Sequence, residues 1–129
     1  MDAARINSFS RAGGVGCDDY SRSVDEPGTA EELMRSRFAA FRDGDAAWLL
    51  RTWHPATRPA GLDLSDNPRW RGLQIVEAVG GGERDDTGVV EFRATYLEDG
   101  GGVGVLHERS RFVREGGRWF YVDGDVREA

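Results

Sequence analysis

The sequence predicts a single α+β domain in which N-terminal helices pack on one face of a curved antiparallel sheet. Three observations predict it: a length of 129 residues, two early segments with helical spacing of apolar residues, and four later alternating segments separated by glycine-rich reversals. A chain of this length with 39% hydrophobic residues fills one core and is too short for two ordinary domains.

Composition excludes several classes of function. Seventeen basic against twenty-three acidic side chains give a net charge of -6, so we expect no nucleic acid partner. All the basic residues are arginine, which excludes Schiff-base chemistry on a side chain. A single cysteine, Cys17, forms no internal disulfide, and no apolar run approaches the roughly 20 residues that cross a bilayer. We therefore predict a cytoplasmic protein with no membrane partner.

The first helix is predicted to begin at Thr29, after a leader of residues 1–28 that has no periodicity. Thr29 and Glu32 have the spacing of a capping box, and Gly44 is a typical helix end. The apolar residues of this segment recur every three or four positions, as one buried helix face requires. They are Ala30, Leu33, Met34, Phe38 and Phe41.

A second helix, Ala46–Trp53, is predicted to follow a cap at Asp45 and to stop at His54, because the residue before Pro55 avoids helical geometry. From His54 to Arg71 no period is sustained. Long ordered loops of this kind are often lids or binding loops.

Four strands follow, predicted at Leu73–Val79, Val89–Leu97, Val103–Val113 and Arg118–Val122. A two-residue turn at Gly116 and Gly117 places Phe112 opposite Tyr121 and Ser110 opposite Asp123. A turn over residues 98–102 sets the other predicted register, which pairs Leu97 with Val103, Thr95 with Val105, Arg93 with His107 and Glu91 with Arg109.

This register gives the sheet one apolar face and one charged face. The apolar face, which should meet the helices, carries Val90, Phe92, Ala94, Tyr96, Leu106, Phe112, Trp119 and Tyr121. Three polar residues interrupt it: Glu108, Ser110 and Asp123. Since a buried carboxylate without partners is costly, these residues either bond to one another, to amides or to Arg35 or Arg37, or they border a cavity. A bulge in either strand would swap the faces and bring His107 inward.

Four segments also resemble a known family. The segments LMRSRFAAF (33–41), TWHPATRP (52–59), HERSRF (107–112) and WFYVDG (119–124) resemble, in order, the central domain of the uncharacterised bacterial YchJ-type family. The resemblance implies a nuclear-transport-factor-2-like fold, a cone of curved antiparallel sheet closed by N-terminal helices, as in ketosteroid isomerases. It also divides the chain into a leader at 1–28, a YchJ-like domain at 29–125 and a tail at 126–129.

Family members usually carry a SecA C-terminal (SEC-C) zinc motif of several cysteines before this domain. Cys17 lies where the last ligand would fall, but residues 5–10 supply no cysteine upstream. A structural zinc site needs four ligands, so this motif is degenerate and we expect neither zinc nor another cofactor.

Two functions remain open. The first is a binding or interaction module that holds a small apolar ligand, with pocket candidates Glu108, Ser110, Asp123, Tyr96, Trp53 and His54. The second is a metal-independent acid/base enzyme that uses Glu108 or Asp123 as general base and His54 or His107 as second proton carrier. The alternative for His54 is structural: its imidazole would bond the last free carbonyls of the preceding helix.

The charged face of the sheet suggests a second kind of partner. It alternates in sign, which suits either solvent or a two-fold contact with another copy of the chain. Its charged and titratable residues are Glu91, Arg93, His107, Arg109 and Arg111. The sequence thus favours a ligand-binding or accessory module, with a homodimer through the sheet as a candidate assembly.

Overall fold

The computed structural model describes residues 26–127 and confirms the α+β class. Its helices and strands are α1 (Ala30–Asp43), α2 (Ala46–Arg51), β1 (Arg69–Gly80), β2 (Thr87–Leu97), β3 (Val103–Glu115) and β4 (Arg118–Arg127). The strands form one antiparallel sheet in the order β1-β2-β3-β4. Most of the predicted leader, with Cys17, lies outside the described residues, and the three-part division of the chain stays a prediction.

Helix α1 begins and ends where the sequence predicts. The Thr29 hydroxyl accepts a hydrogen bond from the Glu32 amide at 3.1 Å, and Gly44 ends the helix in the left-handed conformation with φ of 78°. The Glu32 carboxylate accepts from the Gly28 amide at 2.8 Å instead of from Thr29. The reciprocal cap therefore closes one residue earlier than in an ordinary capping box.

Helix α2 is two residues shorter than predicted. Its N-cap is Asp45, as expected, but its last residue is Arg51. The chain then leaves the helix to meet β4: the Tyr121 amide donates to the Thr52 carbonyl and the His54 amide donates to the Tyr121 carbonyl, both at 2.8 Å. These two bonds take Trp53 out of the helix and fix it beside Tyr121.

The pairing of β2 with β3 is the predicted one. Leu97 lies opposite Val103, Arg93 opposite His107 and Glu91 opposite Arg109. The edge strand β1 begins four residues earlier than predicted and carries two register shifts against β2, at Arg71 and Val76.

The pairing of β3 with β4 departs from the prediction at one residue. Phe112 lies opposite Tyr121 as predicted, but Asp123 lies opposite Arg111, and Ser110 lies opposite Gly124. Val122 is an extra residue in β4, and this bulge shifts every later position of the strand by one. The predicted pair of Ser110 and Asp123 is therefore wrong, because a turn fixes the register only as far as the first bulge.

The core lies between the inner face of the sheet and the two helices. It includes every predicted inner-face apolar residue, with Tyr96 and Tyr121 partly buried at its margin. Leu62 and Leu64 from the loop between α2 and β1 are also buried, so this loop covers part of the core. Within residues 26–127, no helix is long and apolar enough to span a membrane.

Candidate functional site

Glu108 turns a carboxylate into the core from the middle of β3, where only 7% of the residue is exposed. The Ser110 hydroxyl donates to Glu108 Oε2 at 2.9 Å, and the Tyr121 hydroxyl donates to the same oxygen at 3.2 Å. Strand alternation places Glu108 and Ser110 on one face, and the neighbouring strand brings Tyr121 to them. Hydrogen bonds from two hydroxyls favour the ionised form of a carboxyl group.

Arg37 enters the same region from α1 and is 3% exposed. Its Nη1 atom donates to the Leu49 carbonyl at 2.9 Å and to the Thr52 hydroxyl at 2.7 Å. Its Cζ atom lies 4.6 Å from the ring centroid of Tyr121 and 5.0 Å from that of Trp53. These contacts hold a cation against two aromatic faces inside the protein.

The charges of the site influence one another. Burial lowers the pKa of Arg37 to about 10, while Tyr121 and the Glu108 carboxylate act in the opposite direction. Arg37 therefore stays charged at neutral pH. Burial, followed by the negative charge of Glu108, raises the pKa of Tyr121. The phenol consequently keeps its proton and acts as a donor to Glu108.

Trp53 completes the cluster with a donor that has no acceptor. Its ring meets that of Tyr121 edge-on, with centroids 5.2 Å apart and planes at 85°. Its Nε1 atom is buried and has no hydrogen-bond partner within residues 26–127. Buried polar atoms are normally paired, so an unpaired indole N–H marks a place for a water molecule or a ligand acceptor. We call Arg37, Trp53, Glu108, Ser110 and Tyr121 the inner polar cluster.

Two predicted pocket residues lie elsewhere on the sheet. Asp123 is on the outer face, where its half-exposed carboxylate accepts from Arg111 Nε at 2.6 Å. Its predicted place on the inner face is wrong because of the bulge at Val122. Tyr96 is on the inner face but packs on Trp70 with centroids 5.3 Å apart. It lies four residues along β2 from Phe92, the partner of Glu108, and so belongs to a separate aromatic group.

His54 is not part of the inner polar cluster either. Its Nδ1 atom accepts from the Ala56 amide at 3.0 Å, its Nε2 atom lies 3.1 Å from Glu115 Oε1, and its ring packs on Phe120. Phe120 and Tyr121 are consecutive strand residues, so they point to opposite faces of β4. The alternative that His54 bonds the helix carbonyls is also wrong, since a backbone amide and a carboxylate take its two nitrogens.

The outer face carries an ion-pair network centred on Glu91. One carboxylate oxygen lies 2.6 Å from His107 Nε2 and the other 2.9 Å from Arg109 Nη1, which also donates to Glu77 at 2.9 Å. The hydrogen bond to His107, followed by that to Arg109, lowers the pKa of Glu91. His107 lies beside Glu91 and is therefore on the outer face. No group of three potential metal ligands occurs within the described part of the chain.

The four motif segments of the sequence all contribute to the inner polar cluster or its surroundings. These are the segments that resemble the YchJ-type family. The sequence model of the YchJ middle NTF2-like domain matches residues 29–124. The chain belongs to this family. The YchJ middle domain accounts for the two helices and for the sheet that positions the cluster.

Named relatives of this YchJ domain agree with the assignment. A UPF0225 protein from Streptomyces coelicolor is 56% identical over 97 residues, which cover 75% of this chain and 74% of the relative. A UPF0225 protein from Chromobacterium violaceum is 48% identical over 101 residues, covering 76% and 74% respectively. The solution structure of a SEC-C motif containing protein from Rhodopseudomonas palustris aligns with a TM-score of 0.70 and 26% identity, over 95% of this chain and all of that one.

Two members of the inner polar cluster, Arg37 and Tyr121, are not among the pocket residues predicted from the sequence. The sequence predicts Arg37 only as a structural partner of the polar residues, and Tyr121 only as an aromatic residue of the apolar face. A signal for Arg37 was present, because it lies four residues after Leu33 and four before Phe41, on the buried stripe of α1. No comparable signal distinguishes Tyr121 from the other aromatic residues of its face.

Proposed function

We propose that this domain binds a small molecule at the inner polar cluster, between α1, α2 and the inner face of the sheet. The observation that carries the proposal is the Trp53 indole N–H, which is buried without an acceptor beside a buried, charged Arg37. A ligand group that accepts hydrogen bonds would satisfy both residues, and the surrounding aromatic rings suit an apolar ligand body.

Binding is better supported than acid/base catalysis. The acid/base enzyme predicted from the sequence pairs Glu108 as base with His54 or His107 as second proton carrier, so it needs an imidazole on the same face as Glu108. His54 packs on Phe120, and His107 pairs with Glu91 on the outer face. Within the described residues, neither imidazole therefore shares the inner face with Glu108.

Retention of a ligand is the first test. Native mass spectrometry of the full chain, purified from bacterial cytosol, is expected to show a bound small molecule on the wild type. Trp53→Phe removes the unpaired N–H donor from the inner polar cluster and is expected to reduce the bound fraction. Trp70→Phe is the matched control, because the Trp70 N–H is already paired with Asn67 Oδ1. A wild-type chain with no adduct, and no thermal stabilisation by any member of a small-molecule library, would contradict the proposal.

A homodimer formed through the outer face of the sheet is a second candidate function of the domain. We propose that the protein is located in the cytoplasm. Support for the dimer comes from the mixed charges of the Glu91 network beside exposed Val105, 41% exposed, and Val103, 63% exposed. Such a surface is self-complementary in charge and keeps apolar area for a contact. Light scattering coupled to size-exclusion chromatography tests it: Val105→Arg should dissociate the dimer, and a wild-type monomer at high concentration excludes it.

A further inference from the structure

The indole N–H groups of the four tryptophans differ in whether they have a hydrogen-bond acceptor. Trp48 donates from Nε1 to Ser36 Oγ at 2.9 Å, Trp70 to Asn67 Oδ1 at 2.8 Å and Trp119 to the Gly28 carbonyl at 3.1 Å. All are 5% exposed or less, as is Trp53. Among residues 26–127, Trp53 is the tryptophan whose buried donor lacks an acceptor. The other three tryptophans all have acceptors for their indole N–H groups. The unpaired donor of Trp53 is therefore specific to its position and not a general property of this core.

Arg37 provides the second unmatched feature of the same place. In the described part of the chain, its hydrogen bonds come from Nη1, and both acceptors are uncharged oxygens. No carboxylate of residues 26–127 forms an ion pair with it within 4.0 Å, although it is 3% exposed. Glu108 acts on it through space, with Tyr121 between the two groups. A buried guanidinium normally has a direct anionic partner, because an unpaired buried charge is costly.

We infer that the ligand is a small organic acid whose carboxylate accepts hydrogen bonds from Trp53 Nε1 and from the free edge of the Arg37 guanidinium. This inference rests on the proposed function and adds the chemical class of the ligand. The Arg37 Cζ atom lies 5.0 Å from the Trp53 ring centroid, so the two donors border the same part of the core. A carboxylate is planar and matches the forked geometry of arginine.

The charges of the site favour a monoanion. Glu108 is held by Ser110 and Tyr121 next to this position, so a phosphate dianion would meet stronger repulsion than a carboxylate. A neutral amide or alcohol would accept from Trp53 but would leave the positive charge of Arg37 without a counterion. The aromatic rings of Trp53 and Tyr121 suit an aromatic or aliphatic body on the acid.

Matched probes separate charge from shape. Benzoate and acetate are titrated into the full-length, uniformly ¹⁵N-labelled chain, in parallel with benzamide and acetamide, while the four indole N–H resonances are followed by NMR. Trp53→Phe assigns the Trp53 resonance. We expect at least one acid to shift this resonance in a saturable manner, the corresponding amide to bind about tenfold more weakly or worse, and the Trp70 resonance to stay in place.

Variants then test the two donors. Arg37→Gln should weaken binding of the acid about tenfold or more while leaving amide binding little changed. Trp53→Phe keeps an aromatic ring and loses the N–H. It should also weaken binding of the acid, and it tests the site if Arg37→Gln does not fold. Trp70→Phe is the matched control, since Trp70 is equally buried and its N–H is paired with Asn67. Equal weakening by Trp53→Phe and Trp70→Phe would overturn the assignment.

The remaining outcomes separate this inference from the proposed function. Equal binding of benzoate and benzamide at Trp53 would overturn the acid class and leave small-molecule binding intact. If no probe shifts an indole resonance but native mass spectrometry shows a neutral adduct, the acid class is again overturned and small-molecule binding stays intact. No shift and no adduct would remove both proposals. A nuclear Overhauser contact from the Trp53 indole proton to residues 1–25 would show that the chain fills the site itself, and would also overturn the inference.

Discussion

The carboxylate of Glu108 lies against the backbone of Gly124, its diagonal neighbour on β4. A β-carbon added at residue 124 would lie 2.9 Å from Glu108 Cδ, closer than such atoms normally approach, and 3.1 Å from Glu108 Cγ, which is a tight contact. The glycine therefore leaves the space through which the carboxylate reaches Ser110 and Tyr121. Gly124, the last residue of the WFYVDG segment, acts as a positioning residue for the inner polar cluster.

Gly124→Ala should displace the Glu108 carboxylate and weaken both of its hydrogen bonds. Overpacking of this kind is expected to lower the free energy of unfolding by about 1–3 kcal/mol, measured by urea denaturation. Gly61→Ala is the control, because no atom lies within 4 Å of a β-carbon at that position and the expected change is within about 0.5 kcal/mol. Equal stability of the two variants would refute the positioning role of Gly124.

Tyr121→Phe removes one donor from the Glu108 carboxylate while keeping the ring that packs on Trp53. Since the acceptor is charged and buried, we expect a loss of about 1–3 kcal/mol in the free energy of unfolding. Tyr96→Phe is the matched control, because Tyr96 is also partly buried on the inner face and its hydroxyl has no hydrogen bond within the described residues. If both tyrosine variants lose the same stability, the bond to Glu108 contributes nothing.

Acid should destabilise the protein partly through Glu91. The pKa of this carboxyl in the folded chain is below its ordinary value of 4.5, chiefly because of its hydrogen bond to His107. The resulting stabilisation is fully present above that ordinary value and is lost as the pH falls through the folded pKa. Glu91→Gln should therefore reduce the difference in denaturation midpoint between neutral and acidic solution.

The control for Glu91 is Glu98→Gln, since Glu98 forms no ion pair within residues 26–127. This variant should keep the acid sensitivity of the wild type. An unchanged acid sensitivity in Glu91→Gln would show that the outer network does not couple protonation to folding.

His54 should be the Nε2–H tautomer when neutral. The Ala56 amide donates to Nδ1, so this nitrogen holds a lone pair and the proton is on Nε2, facing Glu115. Long-range ¹H–¹⁵N correlation spectra at about pH 8 distinguish the two tautomers, and the chain has only two histidines to assign. Observation of the Nδ1–H form would disprove the contact with the Ala56 amide.

The parts of the fold that the sequence predicts depend on local chemistry. Thr29 and Gly44 bound α1 because their conformational preferences act within one helical turn. The turns at residues 98–102 and 116–117 fix the neighbouring pairs, such as Phe112 with Tyr121. Alternation from those turns correctly predicts that Glu108 and Ser110 face the core.

The parts that escape prediction depend on tertiary contacts. Val122 is an ordinary strand residue by type, so nothing local indicates the bulge that carries Asp123 to the outer face. The early end of α2 results from backbone bonds between Tyr121 and its two partners Thr52 and His54, which are distant in sequence. The same exit places the Trp53 ring beside Tyr121, so the position of its indole N–H depends on tertiary contacts too.

Those backbone bonds also affect how the sheet meets other chains. An unpaired strand edge offers a row of amides and carbonyls on which a foreign strand can add. On β4 the row is interrupted at Tyr121, whose amide and carbonyl are already taken. On β1 the shifts at Arg71 and Val76 break the row into short runs. Strand addition is thereby disfavoured at both margins, which protects a domain with a long four-stranded sheet from aggregation.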